Sequence, residues 1–115
     1  MKIEVLYSPE CPNYVQALML VHDVLAETGI EAQVELVRVE TEDEARRLRF
    51  VGSPTVRVDG VDVEPYVTFA AGDSGRRCRM YVEDEQALGW PGKRMLQDTI
   101  EVGHLAEMDL LATCC

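Results

Sequence analysis

Met1-Lys-Ile-Glu-Val-Leu-Tyr-Ser-Pro-Glu-Cys-Pro-Asn-Tyr14 opens the chain and decides how the rest is read. Lys2 to Tyr7 has the pattern of a short strand, with Ile3, Val5 and Tyr7 alternating against Lys2, Glu4 and Leu6. Ser8-Pro9-Glu10 ends it. Cys11 follows, then Pro12, then an amphipathic run from Tyr14 to about Glu27 that stops at Gly29. Cys11 therefore sits where a strand ends and a helix begins. The free N–H groups and positive dipole end of such a helix favour a thiolate, which makes Cys11 a candidate nucleophile or metal ligand. On the helix itself, Val15, Leu18, Met19, His22 and Leu25 make an apolar-facing stripe widened by Val21 and Val24, so His22 reads as a buried or half-buried helix residue.

Working outward, Ala32 to Val39 alternates as a second strand. Thr41 and Glu44 make a capping box for a short helix from Glu42 to about Phe50, with Arg46, Arg47 and Arg49 as its solvated, dipole-matched end. Val51-Gly-Ser-Pro-Thr55 leads into a third strand carrying Val56 and Val58. Asp59-Gly60 is a turn, and Val61 to Glu64 forms a hairpin arm. Residues 65–77 read as a long loop with the character of a lid. Cys78 to Val82 reads as a further strand and Glu83 to Gly89 as a connection. Trp90-Pro91-Gly92 opens a last helix that Gly103 interrupts before a piece from His104 to about Ala112. The order β-α-β-α-β-(β)-loop-β-α predicts a small α/β sandwich with a parallel pair at its centre.

Composition narrows the function. The 115 residues make one main domain over 1–102, followed by a helical tail, 103–115, ending in Cys114-Cys115. A formal net charge of −10 argues against nucleic acid and anionic membrane as partners, since both reward basic surfaces. No apolar stretch is long enough to span a bilayer, and no export signal is evident, so a cytoplasmic location is expected. Four cysteines in such a setting suit reactivity or metal binding better than a structural framework. Neither Cys-x-x-Cys nor His-x-x-x-His spacing is present, which argues against zinc.

The element order, the helix-start cysteine and the Ser53-Pro54-Thr55 step before the third strand resemble the thioredoxin-like fold. That likeness implies a three-layer sandwich around a central mixed four-stranded sheet with a C-terminal helical extension. It implies that Pro54 is cis, lies against Cys11 and presents backbone groups that hold a thiol or disulfide substrate. It places Cys11, Pro12, Tyr14, Ser53, Pro54 and Thr55 in the site. More narrowly, Tyr7 to Tyr14, Gly52 to Gly60 and Cys78 to Tyr81 resemble small bacterial thioredoxin-like proteins, some labelled alkylmercury lyase-related. The departure is that Cys11-Pro-Asn-Tyr14 lacks the second cysteine of the Cys-x-x-Cys pattern. Exchange confined to this motif is impossible, which leaves one-cysteine chemistry, as in monothiol glutaredoxins, or a resolving thiol from elsewhere.

Three sulfurs are available to resolve Cys11. Cys78 lies in Arg76-Arg-Cys-Arg79, where positive charge favours a thiolate, although a strand residue there also reads as pointing into the core with Met80. If that strand runs antiparallel to the third, Cys78 starts on the order of 15 Å from Pro54 at about 3.3 Å per residue. Cys114-Cys115 can hold a soft ion such as Hg(II), and the pair resembles the carboxyl-terminal cysteines of mercuric reductase. Cys11, Cys78, Cys114 and Cys115 are thus the candidate metal ligands, and no other cofactor is implied. Three functions stay open: a thiol redox protein acting on a disulfide, glutathione or an electrophile; a soft-metal or organomercurial protein in which the tail delivers metal to Cys11; and a binding module without chemistry.

Overall fold

The structure is a computed structural model that describes residues 1–64, 75 and 78–113. A four-stranded mixed sheet in the order β2-β1-β3-β4 forms its centre. Strand β1 (Lys2–Tyr7) pairs in parallel with β2 (Gln33–Arg38), bringing Ile3 opposite Val34 and Val5 opposite Leu36. On its other side β1 pairs antiparallel with β3 (Thr55–Val58), Val5 opposite Val56, and β3 turns back into β4 (Val61–Asp62). The β3–β4 turn is Asp59-Gly60, both at positive φ (50° and 84°), the geometry that the Asp-Gly pair predicts for a two-residue hairpin.

Neighbouring residues of β1 feed opposite faces of the sheet. Ile3 and Val5 join Val56 and Val58 in a core with Ala17, Val21 and Val24 of α1 (Tyr14–Thr28) and Leu96 and Ile100 of α3 (Lys93–Thr113). Leu6 faces the other way and packs with Val39, Phe50 and Ala45 of α2 (Glu42–Leu48). These are the three layers of the expected sandwich. Within α1 the stripe lies a little off the predicted line: Val15 and Met19 are exposed, and His22 is exposed rather than buried. Helix α1 ends at Gly29 in the left-handed conformation, whose N–H bonds the Leu25 carbonyl at 2.9 Å. At the start of α2 the Thr41 hydroxyl accepts from Glu44 N at 3.1 Å, while Glu44 accepts from Glu40 N at 3.3 Å. The arginines at the far end of α2 are exposed, with Arg46 paired to Asp43.

Three expectations are corrected in the C-terminal half. Helix α3 runs unbroken through Gly103, so the boundary drawn at residue 102 falls inside one helix. A Cβ at Gly103 would lie 3.1 Å from Met1 Cε and 3.4 Å from Val58 Cγ1. The glycine therefore allows a close approach to the sheet, which outweighs its cost of roughly 1 kcal/mol in a helix. The predicted strand from Cys78 is shorter, and Glu83 to Gly89 is not a plain connection. Strand β5 (Tyr81–Glu83) and β6 (Gln86–Leu88) form a separate antiparallel hairpin around Asp84 and Glu85, both at positive φ. Helix α3 starts at Lys93, with Pro91 and Gly92 buried just ahead of it. The lid expected over 65–77 and the Cys114-Cys115 end lie outside the described residues, apart from Gly75.

A candidate dithiol site

Cys11 is 2% exposed, in the turn that joins β1 to α1. Its N–H bonds the Ser8 carbonyl at 3.1 Å, closing a tight turn that Pro9 and Pro12 stiffen. The chain then enters α1 through Asn13, so the sulfur lies just ahead of the first helical turn. Pro12 is exposed. Tyr14 makes a stacked pair with Tyr7, ring centroids 4.1 Å apart, which fastens the first turn of α1 to the end of β1.

The Val51–Thr55 loop meets this turn. The Ser53–Pro54 bond is cis, and Gly52 just before it takes φ 147°, a conformation open to glycine. Ser53, Pro54 and Thr55 are all buried. Ser53 Oγ accepts from Ser8 N at 3.1 Å, and the Cys11 thiol lies 3.5 Å from the Ser53 carbonyl oxygen. Thr55 Oγ1 donates to the Gly52 carbonyl at 2.7 Å, which tightens the loop on itself. Ser8 Oγ is buried without a hydrogen-bond partner among the described residues.

For Cys78 the antiparallel case does not hold. Instead of lying some 15 Å away at the start of an antiparallel strand, it forms an isolated parallel bridge with Ser53. Arg79 N bonds the same Ser53 carbonyl at 2.9 Å. That bridge sets the Cys78 Sγ 2.9 Å from the Cys11 Sγ, with the Cys78 thiol donating. Both are free thiols; Cys11 is buried and Cys78 is exposed. Cys78 does not share a core face with Met80, which is also exposed; the alternation is the reverse, with Arg79 and Tyr81 inside.

The electrostatic expectation for Cys78 is corrected as well. Its thiol is held above the ordinary range, first by its hydrogen bond to Cys11, then by partial desolvation and by the neighbouring Cys11 charge. The Arg79 charge is already committed: it makes a two-pronged pair with Asp62, both arms 2.8 Å, and reaches Glu64 at 3.1 Å. Burial would lower the Arg79 pKa, but the bonds to Asp62 and Glu64 more than compensate and raise it. Its guanidinium lies 4.2 Å over the Tyr81 ring. Tyr81 in turn donates from its hydroxyl to the Pro54 carbonyl at 2.6 Å, and burial pushes its pKa up although Arg79 pulls it down.

Sequence reasoning found Cys11, Ser53, Pro54 and Thr55 as one group and missed Arg79 and Tyr81. In the run Arg76-Arg-Cys-Arg79, arginine reads as surface charge; only the acidic Asp62 and Glu64 on the facing arm hint at a buried pair. Among the described residues no group of three or more His, Cys, Asp or Glu is placed to hold a metal. The tail cysteines, expected as metal ligands, lie outside the described residues.

A β-α-β start, a cysteine ahead of α1 and a cis-proline loop packed on that cysteine define a thioredoxin-like protein. A thioredoxin domain model matches residues 1–63, and the chain belongs to that family. The matched span ends at Val63, so it includes Cys11 and Pro54 but not Cys78 or Arg79. Neither the curated proteins nor the solved structures include a match. Membership carries a thiol-redox role in general terms, with thiols or disulfides as the class of substrate.

Proposed function

We propose that the protein is a thiol–disulfide redox protein whose working pair is Cys11 and Cys78. The observation that carries this reading is the 2.9 Å separation of the two sulfurs. A disulfide needs about 2.05 Å between sulfurs, so a small movement closes the bond. The second cysteine that the helix-start motif lacks is thus supplied from 67 residues away.

The exposures divide the labour. Cys11, the nucleophile expected from the sequence, is 2% exposed and lies beneath Cys78. Cys78 is the residue that an incoming partner reaches first. In the reducing direction Cys78 first gives up its thiol proton to water, and its sulfur then attacks one sulfur of a substrate disulfide. One substrate thiolate leaves and takes a proton, and a mixed disulfide remains on Cys78. Cys11 then attacks the Cys78 sulfur, expels the second substrate thiolate and completes the Cys11–Cys78 disulfide. Two electrons pass to the substrate, which leaves as two thiols. In the oxidising direction the same steps reverse, and Cys11 departs as the leaving thiolate.

Trapping tests both the pair and the order. Each variant is treated with glutathione disulfide, in the full chain and with Cys114→Ser/Cys115→Ser, and the adducts are weighed. Cys11→Ser should accumulate a glutathione adduct on Cys78, because the resolving sulfur is gone. Cys78→Ser should react slowly at buried Cys11. Stable adduct on Cys11 in Cys78→Ser, with none on Cys78 in Cys11→Ser, would overturn the order. No effect of either change on disulfide formation would overturn the pair.

A further inference from the structure

We infer that Arg79 is the positioning residue of the dithiol pair: its buried ion cluster with Asp62, Glu64 and Thr55 fixes Cys78 over Cys11 and so sets how readily the two sulfurs join. This rests on the reading of Cys11 and Cys78 as the exchanging pair.

Cys78 is exposed and belongs to no helix or strand, its backbone touching the sheet only through the isolated bridge to Ser53 among the described residues. Left to itself, such a residue would sample many positions, and its sulfur would meet Cys11 only part of the time. What holds it is the next residue. Arg79 is 6% exposed, and its backbone N–H and both terminal guanidinium nitrogens are engaged. Its N–H bonds the Ser53 carbonyl at 2.9 Å, on the oxygen that also faces the Cys11 thiol. Its guanidinium takes Asp62 with two 2.8 Å bonds, Glu64 at 3.1 Å and Thr55 Oγ1 at 3.2 Å. Asp62 belongs to β4, Glu64 follows it and Thr55 begins β3, so the clamp ties the Cys78 segment to the central sheet. A planar fork with five donors suits this arrangement, and a lysine cannot reproduce it.

The charge arithmetic argues that the role is positional. One guanidinium faces two carboxylates, so no positive charge is left over for a thiolate. Arg79 acts on the pair by placing it.

The equilibrium to measure is the exchange of the two thiols with one glutathione disulfide, which yields the Cys11–Cys78 disulfide and two glutathione thiols. The full chain is held in glutathione buffers of graded ratio, quenched with acid, and the fraction carrying the Cys11–Cys78 link is read by peptide mass. Arg79→Met should lower the equilibrium constant about tenfold or more, because a Cys78 sulfur no longer held in place has a lower effective concentration at Cys11. Arg79→Lys should fall between the two, and it carries the test if Arg79→Met does not fold. Leu96→Ala, a core truncation in α3 that removes none of the hydrogen bonds of the Arg79 cluster, should leave the constant within about twofold. Equal constants in wild type and Arg79→Lys would overturn the role of Arg79, as would a fall in Leu96→Ala as large as that in the Arg79 variants. If the wild type forms no Cys11–Cys78 link at all, the underlying pair itself is wrong.

Discussion

Ser53 is the residue on which the site turns. Its hydroxyl accepts the Ser8 N–H, and its carbonyl faces the Cys11 thiol and accepts the Arg79 N–H. Ser8, beside it, has a buried hydroxyl with no partner among the described residues. The two serines should therefore respond differently to truncation. Ser53→Ala leaves the buried Ser8 N–H unpaired and should cost about 1–3 kcal/mol in denaturant unfolding. Ser8→Ala removes an unsatisfied hydroxyl and should stay within about 0.5 kcal/mol of wild type. Equal costs would contradict the bonding described. At Cys78 the prediction concerns pH. Its pKa is raised chiefly by the bond to Cys11, so its alkylation should rise at a higher pH than that of a free thiol. Cys11→Ala removes two of the causes and should move the Cys78 profile back down, as read by peptide-resolved alkylation against pH. Cys11 and the Ser53-Pro54-Thr55 step were legible in the sequence because local grammar marks them: a strand end, a helix start, a proline before a strand. Cys78 was legible only as one of three candidate sulfurs and Arg79 not at all, because their places depend on a single bridge to Ser53 across the fold.

The elements of the first 63 residues follow their sequence patterns closely, down to the Thr41 cap and the Asp59-Gly60 turn. The hairpin of β5 and β6 does not announce itself, for a physical reason. Its two turn residues are Asp84 (φ 51°) and Glu85 (φ 65°), where a glycine would be the usual marker. A left-handed glutamate carries roughly 1–2 kcal/mol of steric cost. The price is met by the anchoring of Tyr81, which is fully buried and bonded to the Pro54 carbonyl. Glu85→Gly, which restores the favoured Asp-Gly turn, should raise stability by about 0.5–1 kcal/mol after the extra chain entropy of glycine. A thermal melt unchanged or lowered by this substitution would contradict the turn geometry. Helix α3 illustrates the opposite error: Gly103 reads as a break by propensity, but its lack of a side chain is what the approach to Met1 and Val58 requires.

At the scale of the whole molecule, the architecture brings two segments 67 residues apart into sulfur contact and leaves one sulfur beneath the other. The acidic balance of −10 is carried largely on the surface, while the buried Arg79 is matched by the half-buried Asp62 and Glu64. Among the described residues no helix is long and apolar enough to cross a membrane. Oxidation connectivity addresses the central claim most directly. The full chain is oxidised with glutathione disulfide, blocked, digested, and its linked peptides are identified by mass. A peptide joining Cys11 to Cys78 is the predicted product. Links from Cys11 to Cys114 or Cys115, with Cys78 recovered as a free thiol, would contradict the account.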